Sequence, residues 1–185
     1  MVNRILRVFR LDASVFREVA EDQGAMGQAA IIVIVVTLLA AIGGAIGLIL
    51  NEAEVGSAIL NLFVTWIVNI LIGWIGWAVL TYFVGTLLFQ GRTDIPEMMR
   101  VLGYASAPRL LGILGIIPCL GWIAALAGAI WALIAGVIAI REAMEFDTGK
   151  AVITVVISWV IAFVITFAIG LVAGGGMALA GGLSR

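Results

Sequence analysis

The sequence predicts an all-α, polytopic membrane protein: a bundle of five transmembrane helices preceded by a short amphipathic helix. Three observations carry that expectation. Of the 185 residues, 64% are apolar and 11% charged, against roughly 45–50% and about 25% in soluble domains. The apolar residues fall in long uncharged runs, and about 20 such residues cross a hydrocarbon core about 30 Å thick at 1.5 Å per residue. Glycine, at 23 residues, is nearly double its ordinary share of about 7%. Membrane helices tolerate that bias because lipid forces the backbone to hydrogen-bond within itself.

Residues 1–28 form an N-terminal segment ahead of the membrane domain. Within it LDASVFREVAEDQG predicts a short helix with Asp12 as N-cap, Val15, Phe16 and Val19 on one face, and Arg17, Glu18, Glu21 and Asp22 on the other. Such a helix either anchors the chain against neighbouring loops and the membrane surface or docks a partner. The first apolar run carries no small-residue cleavage site after it and reads as a retained span at residues 29–50.

The next uncharged run, residues 55–91, measures about 55 Å as one helix. With neither proline nor charge inside it, one long helix spanning residues 62–84 is expected rather than a hairpin. Residues 101–140 are too long for a single crossing and contain Pro108 and Pro118. Pro118, followed by Cys119, Leu120 and Gly121, suits a tight turn. Span three is therefore expected at 101–117, kinked near Pro108, and span four at 120–140. Span five follows at 151–173, with Asp147 as its N-cap and Lys150 as an interfacial anchor. Residues 174–185 form a Gly-rich tail, expected to fray.

The positions of Lys and Arg test the count, because short cytoplasmic loops concentrate them. Arg4, Arg7, Arg10, Arg17, Arg92, Arg100, Arg141 and Lys150, eight of the ten basic residues, fall on one side of a five-span arrangement. The expected topology is thus multi-pass in the plasma (inner) membrane, N-terminus cytoplasmic and C-terminus outside.

Chemistry is bounded tightly. Histidine is absent and Cys119 is the only cysteine, which removes disulfide frameworks, Cys/His zinc sites and His-dependent nucleophilic pairs. A net charge of −1 gives no basic surface for nucleic acid. Asp147-Thr148-Gly149 matches an aspartic protease triplet, but that reaction needs two Asp residues sharing a proton. Gly149-Lys150 lacks the remaining residues of a phosphate loop. No catalytic residue, metal or cofactor is expected.

Several residues stand out within the spans. Arg109 is the one ionisable residue well inside a span, where an Arg costs roughly 2.5–3.5 kcal/mol on insertion scales. Either it snorkels part of the way back to a boundary about 12 Å off, or it faces a hydrated cavity or pairs with Asp94, Glu97 or Glu142. Tyr104 and Ser106 share its span and join the candidate polar set. Asn61, Thr65 and Asn69 recur every four residues, a row that either stitches helices together or lines a polar conduit. Gly43 and Gly47, and Gly128 and Gly136, have the spacing of close helix contacts, within one chain or between two copies.

Gly103-Tyr104 followed by Pro108, Ile130-Trp131 and Gly149-Lys150-Ala151, in this order of spans, resemble the Yip1 family over residues 11–173. The resemblance implies five spans. Eukaryotic members are associated with Rab GTPases and vesicle traffic, while bacterial members are mostly without an assigned activity. This chain lacks the long N-terminal region and the Asp-Leu-Tyr-Gly-Pro type motif of the eukaryotic members, and its loop-poor layout is similar to the bacterial ones. The function expected is a non-enzymatic scaffold that organises the lipid bilayer, other membrane proteins or a cytoplasmic partner, with homo-oligomerisation left open. The alternative is a small-solute or ion transporter with a polar route near Arg109.

Overall fold

Ten helical segments account for the computed structural model, which describes residues 1–116 and 121–183. Two short helices come first, α1 (Val2–Phe9) and α2 (Ala13–Glu21). They are separated by a reversal in which Leu11 takes a left-handed φ of 56°. The Asp12 side chain caps α2 by accepting from the Ser14 N–H at 3.0 Å, which satisfies one of the orphan donors of the first turn. α2 buries Val15, Phe16, Val19 and Ala20 and leaves Arg17, Glu18 and Glu21 exposed.

α3 (Ala25–Leu50) then crosses to the far end of the molecule, where Asn51 to Glu54 turn the chain. The return is one continuous helix from Val55 to Phe89. It comprises α4 (Val55–Val68), a π-helical stretch Asn69–Gly76, and α5 (Trp77–Phe89). α6 (Ile95–Ala105) follows, capped by Asp94, whose carboxylate accepts from Glu97 N–H at 2.6 Å, and with Pro96 in its first turn. Proline costs nothing there because those N–H groups have no helical partner.

Among the described residues, four helices are long and apolar enough to cross a membrane: Ala25–Leu50, Val55–Phe89, Ile123–Ala143 and Thr148–Ala168. The chain is therefore an all-α, multi-pass integral membrane protein, with four such helices among the described residues where five spans were expected. The difference lies in residues 101–117. α6 ends at Ala105, Ser106 turns, and a 3-10 segment Ala107–Ile116 replaces the kinked α-helix. Pro108 explains the break, since it lacks an N–H and disfavours helical geometry at Ala107. The Ser106 hydroxyl meanwhile donates to the Gly103 carbonyl at 2.7 Å. The turn expected at Pro118 and Cys119 lies outside the described residues.

α7 (Gly121–Ala143) and α8 (Thr148–Leu183) complete the chain, the latter running on through the Gly-rich segment. The Asp147 carboxylate caps α8 by accepting from Lys150 N–H at 3.0 Å. α7 lies along the 3-10 segment, α6 and α2, while α3 pairs with α4 and α5 with α8. Close approach is what small residues supply where α7 meets the 3-10 segment and where α6 meets α3. A Cβ on Gly128 would stand 2.8 Å from the Pro108 carbonyl oxygen, and one on Gly103 would stand 2.8 Å from Ala29 Cβ.

Candidate functional site: a charged face at one end of the bundle

The sequence separates the charged segments by up to a hundred residues or more; the fold gathers them at one end. The loop after α5 meets the loop after α7, where Arg92 N–H donates to the Met144 carbonyl at 3.4 Å and Phe89 packs edge-on against Phe146 with ring centroids 5.9 Å apart. Across the α2–α7 contact, Arg17 pairs with Glu142 at 2.7 Å, and Glu142 also receives Arg141 at 2.8 Å.

The α1–α2 hairpin is clasped by ion pairs. Arg4 reaches Glu18 and Asp22, each at 2.8 Å, and Arg7 reaches Asp12 at 2.8 Å and Glu18 at 2.6 Å. Each partner responds. Hydrogen bonds from Ser14 and Arg7 hold the Asp12 carboxyl down at about 2. Glu18 is lowered by Arg7 and Arg4, and Asp22 by Arg4. The Arg4 guanidinium is raised by the same two carboxylates. Burial acts the other way on Glu97, in the first turn of α6, and pushes its carboxyl up. Isolated exposed pairs contribute little, but a network sharing Glu18 between two arginines fixes the geometry of α1 on α2. An open cleft beside it is lined by Met1, Asn3, Arg7, Glu18, Asp22 and Gln28.

Beneath this surface further bonds tie the helices together. The Arg100 guanidinium donates to the carbonyls of Val19, at 3.2 Å, and Ala20, in the last turn of α2. Those carbonyls have no helical partner, and a cation suits the negative end of the helix. Tyr104, fully buried, donates its hydroxyl to Gln28 at the start of α3. Trp74 donates its indole N–H to the Met99 carbonyl at 3.0 Å, and Trp131 donates to the Phe9 carbonyl at 3.0 Å. α6 is thus the hub on which α2, α3 and the long second helix converge.

The singled-out residues divide between this end and elsewhere. Tyr104, Ser106 and Gly128 lie in packed contacts. Arg109 is exposed on the 3-10 segment and has no ion pair among the described residues, while Glu142 is taken by Arg17 and Arg141, and Asp94 caps α6. Asn61 and Asn69 are exposed and Thr65 half-buried on the outer side of the second helix, bonded to one another along the helix. Gly43, Gly47 and Gly136 face open space. The sequence reading missed the tie between Arg100 and α2. Its one signal was a basic residue amid MMRVLGYA, where the neighbours are apolar on both sides.

Fold and site together define a multi-pass helical membrane protein with an ordered charged face at one end. The chain belongs to the Yip1 domain family, whose model matches residues 6–169, and proteins of this family interact with membrane-associated partners. No curated protein and no solved structure matches it significantly. Five of the residues that carry the resemblance sit at contacts or in the core: Gly103 on Ala29, Tyr104 on Gln28, Pro108 on Gly128, Trp131 on Phe9, and Ala151 fully buried in the first turns of α8, while Ile130, Gly149 and Lys150 are exposed.

Proposed function

We propose that the protein is a scaffold of the plasma (inner) membrane that presents α1, α2 and the two loops beside them as a docking face for other proteins or lipids. The observation that carries the reading is the locking of three separate chain regions into one surface by Arg100, the Arg4 and Arg7 network, and the Arg17 to Glu142 pair. Loops that served only to connect spans need no such ties. The face belongs in the cytoplasm because eight of the ten basic residues lie in α1, α2, their loops or the helix turns that flank them. α6 and the 3-10 segment together, about 16 Å at about 1.5 Å per residue and about 20 Å at about 2.0 Å per residue, supply the remaining pass, which leaves the C-terminus outside.

A transport role draws little support from the polar row, since Asn61 and Asn69 lie on the outer surface. Photo-cross-linking in native membranes tests the docking face. Probes at Asn3, Arg10 and Glu21 are expected to capture a reproducible partner, protein or lipid, that a probe at Glu52 does not. Capture at Glu52 alone, or no reproducible adduct from any of the three, contradicts the proposal.

A further inference from the structure

The second helix is the least covered of the four: only 11% of its most apolar stretch is buried, against 39% for Ala25–Leu50. On this exposed helix stand two amides. The Thr65 hydroxyl donates to Asn61 Oδ1 at 3.3 Å, and Asn69 Nδ2 donates to the Thr65 carbonyl at 2.8 Å. Those bonds use part of what each amide offers, since an Asn side chain has two N–H donors and two acceptor lone pairs. Among the described residues, Asn61 keeps both donors and one lone pair unused, and Asn69 keeps one donor and both lone pairs. Asn69 stands near the middle of the span, where lipid supplies neither donor nor acceptor.

The backbone keeps Gly73 beside Asn69. In an α-helix an i, i+4 row drifts round the axis, because four residues exceed one 3.6-residue turn. The π-helical stretch beginning at Asn69 takes more residues per turn and reverses that drift, so Gly73 returns to the side of Asn69. A Cβ on Gly73 would meet nothing nearer than Asn69 Oδ1 at 3.5 Å, so the helix backbone is open to close approach beside the amide.

We infer that this row is the interface between two copies of the chain, related by a two-fold axis along the membrane normal. That symmetry sets Asn61 against Asn61 and Asn69 against Asn69, and a reciprocal amide pair needs one free donor and one free acceptor on each partner. Both residues retain that set. A different partner would need its own matching amides at the same spacing, whereas a second copy brings them by construction. Interhelical amide bonds and small residues are the ordinary means of helix association in lipid.

The test uses the full chain in liposomes, with subunit counting over a range of protein-to-lipid ratios. The wild-type chain is expected to dimerise, and Asn61→Leu combined with Asn69→Leu to weaken association at least tenfold. Because both positions face outward, leucine suits their lipid-facing setting. Disulfide trapping in native membranes, in a Cys119→Ser background, gives an independent reading: Gly73→Cys is expected to cross-link two copies and Ile67→Cys, on the other side of the helix, is not. A monomer at every ratio, unchanged association in the double variant, or trapping through Ile67→Cys instead overturns the proposal. So does a Gly73→Cys adduct with a different protein.

Discussion

The Arg100 guanidinium donates to the carbonyl of Val19 at 3.2 Å across 81 positions of sequence. It closes the C-terminal end of α2 with a cation, and by doing so ties the N-terminal hairpin to α6. Arg100→Met keeps the length and apolar stem but leaves two buried carbonyls without a donor, at a cost of about 1–3 kcal/mol. Hydrogen exchange in detergent is expected to show faster exchange in α2 while the α3 amides stay protected. Arg100→Lys is expected to recover only part of the effect, because a point charge replaces a planar fork.

Acid loosens the hairpin. Asp12 sits at about 2 against an ordinary 3.8, and Glu18 and Asp22 are lowered as well. A lowered carboxyl contributes stability that is complete above its undocked pKa and disappears as pH falls through its docked one. The docking of α1 on α2 is therefore expected to be independent of pH above about 5 and to weaken progressively from about pH 4 to 2. The distance between spin labels at Asn3 and Glu21 reports it, and Glu18→Gln is expected to shift the onset to higher pH and to weaken docking at neutral pH.

Steric fit governs the α7 contact. Gly128→Val places a side chain where the Pro108 carbonyl oxygen already stands 2.8 Å from a Cβ, and overpacking of this kind costs about 1–3 kcal/mol. Gly136→Val, where nothing lies within 4 Å, is expected to leave the stability of the monomer unchanged. Thermal unfolding of the two variants in the same detergent compares them directly.

A weaker tie holds α1 against α7. Trp131→Phe removes the indole N–H that donates to the Phe9 carbonyl at 3.0 Å and is expected to cost about 1 kcal/mol. Faster proteolysis within residues 1–10, with the rest of the chain intact, is the expected readout.

Local patterns told most about this chain. The uncharged runs located the helices Ala25–Leu50 and Val55–Phe89 because hydropathy and length are properties of neighbouring residues. Asp12 and Asp147 were legible as caps for the same reason: a carboxylate before an apolar run meets the free N–H groups of the first turn. Residues 101–117 were less legible. Their composition suits a membrane helix, and a single Pro108 kinks some helices and breaks others, so the outcome rests on what α7 and α3 offer the freed backbone. Nor does any local pattern reveal that Leu11 reverses the chain, since non-glycine residues adopt its left-handed conformation only rarely. Arg100, counted along the sequence, was a loop charge; only the approach of α2 turns it into a buried cap.

Sidedness of single cysteines in a Cys119→Ser background tests the central claim most directly. In intact cells, Asn3→Cys, Arg92→Cys and Glu145→Cys are expected to resist a membrane-impermeant thiol reagent until the cytoplasm is opened, while Glu52→Cys reacts at once. That pattern places α1 and both loops on one cytoplasmic face. Reaction of Glu145→Cys or Arg92→Cys from outside, with Asn3→Cys protected, would split the face across the membrane and contradict the account.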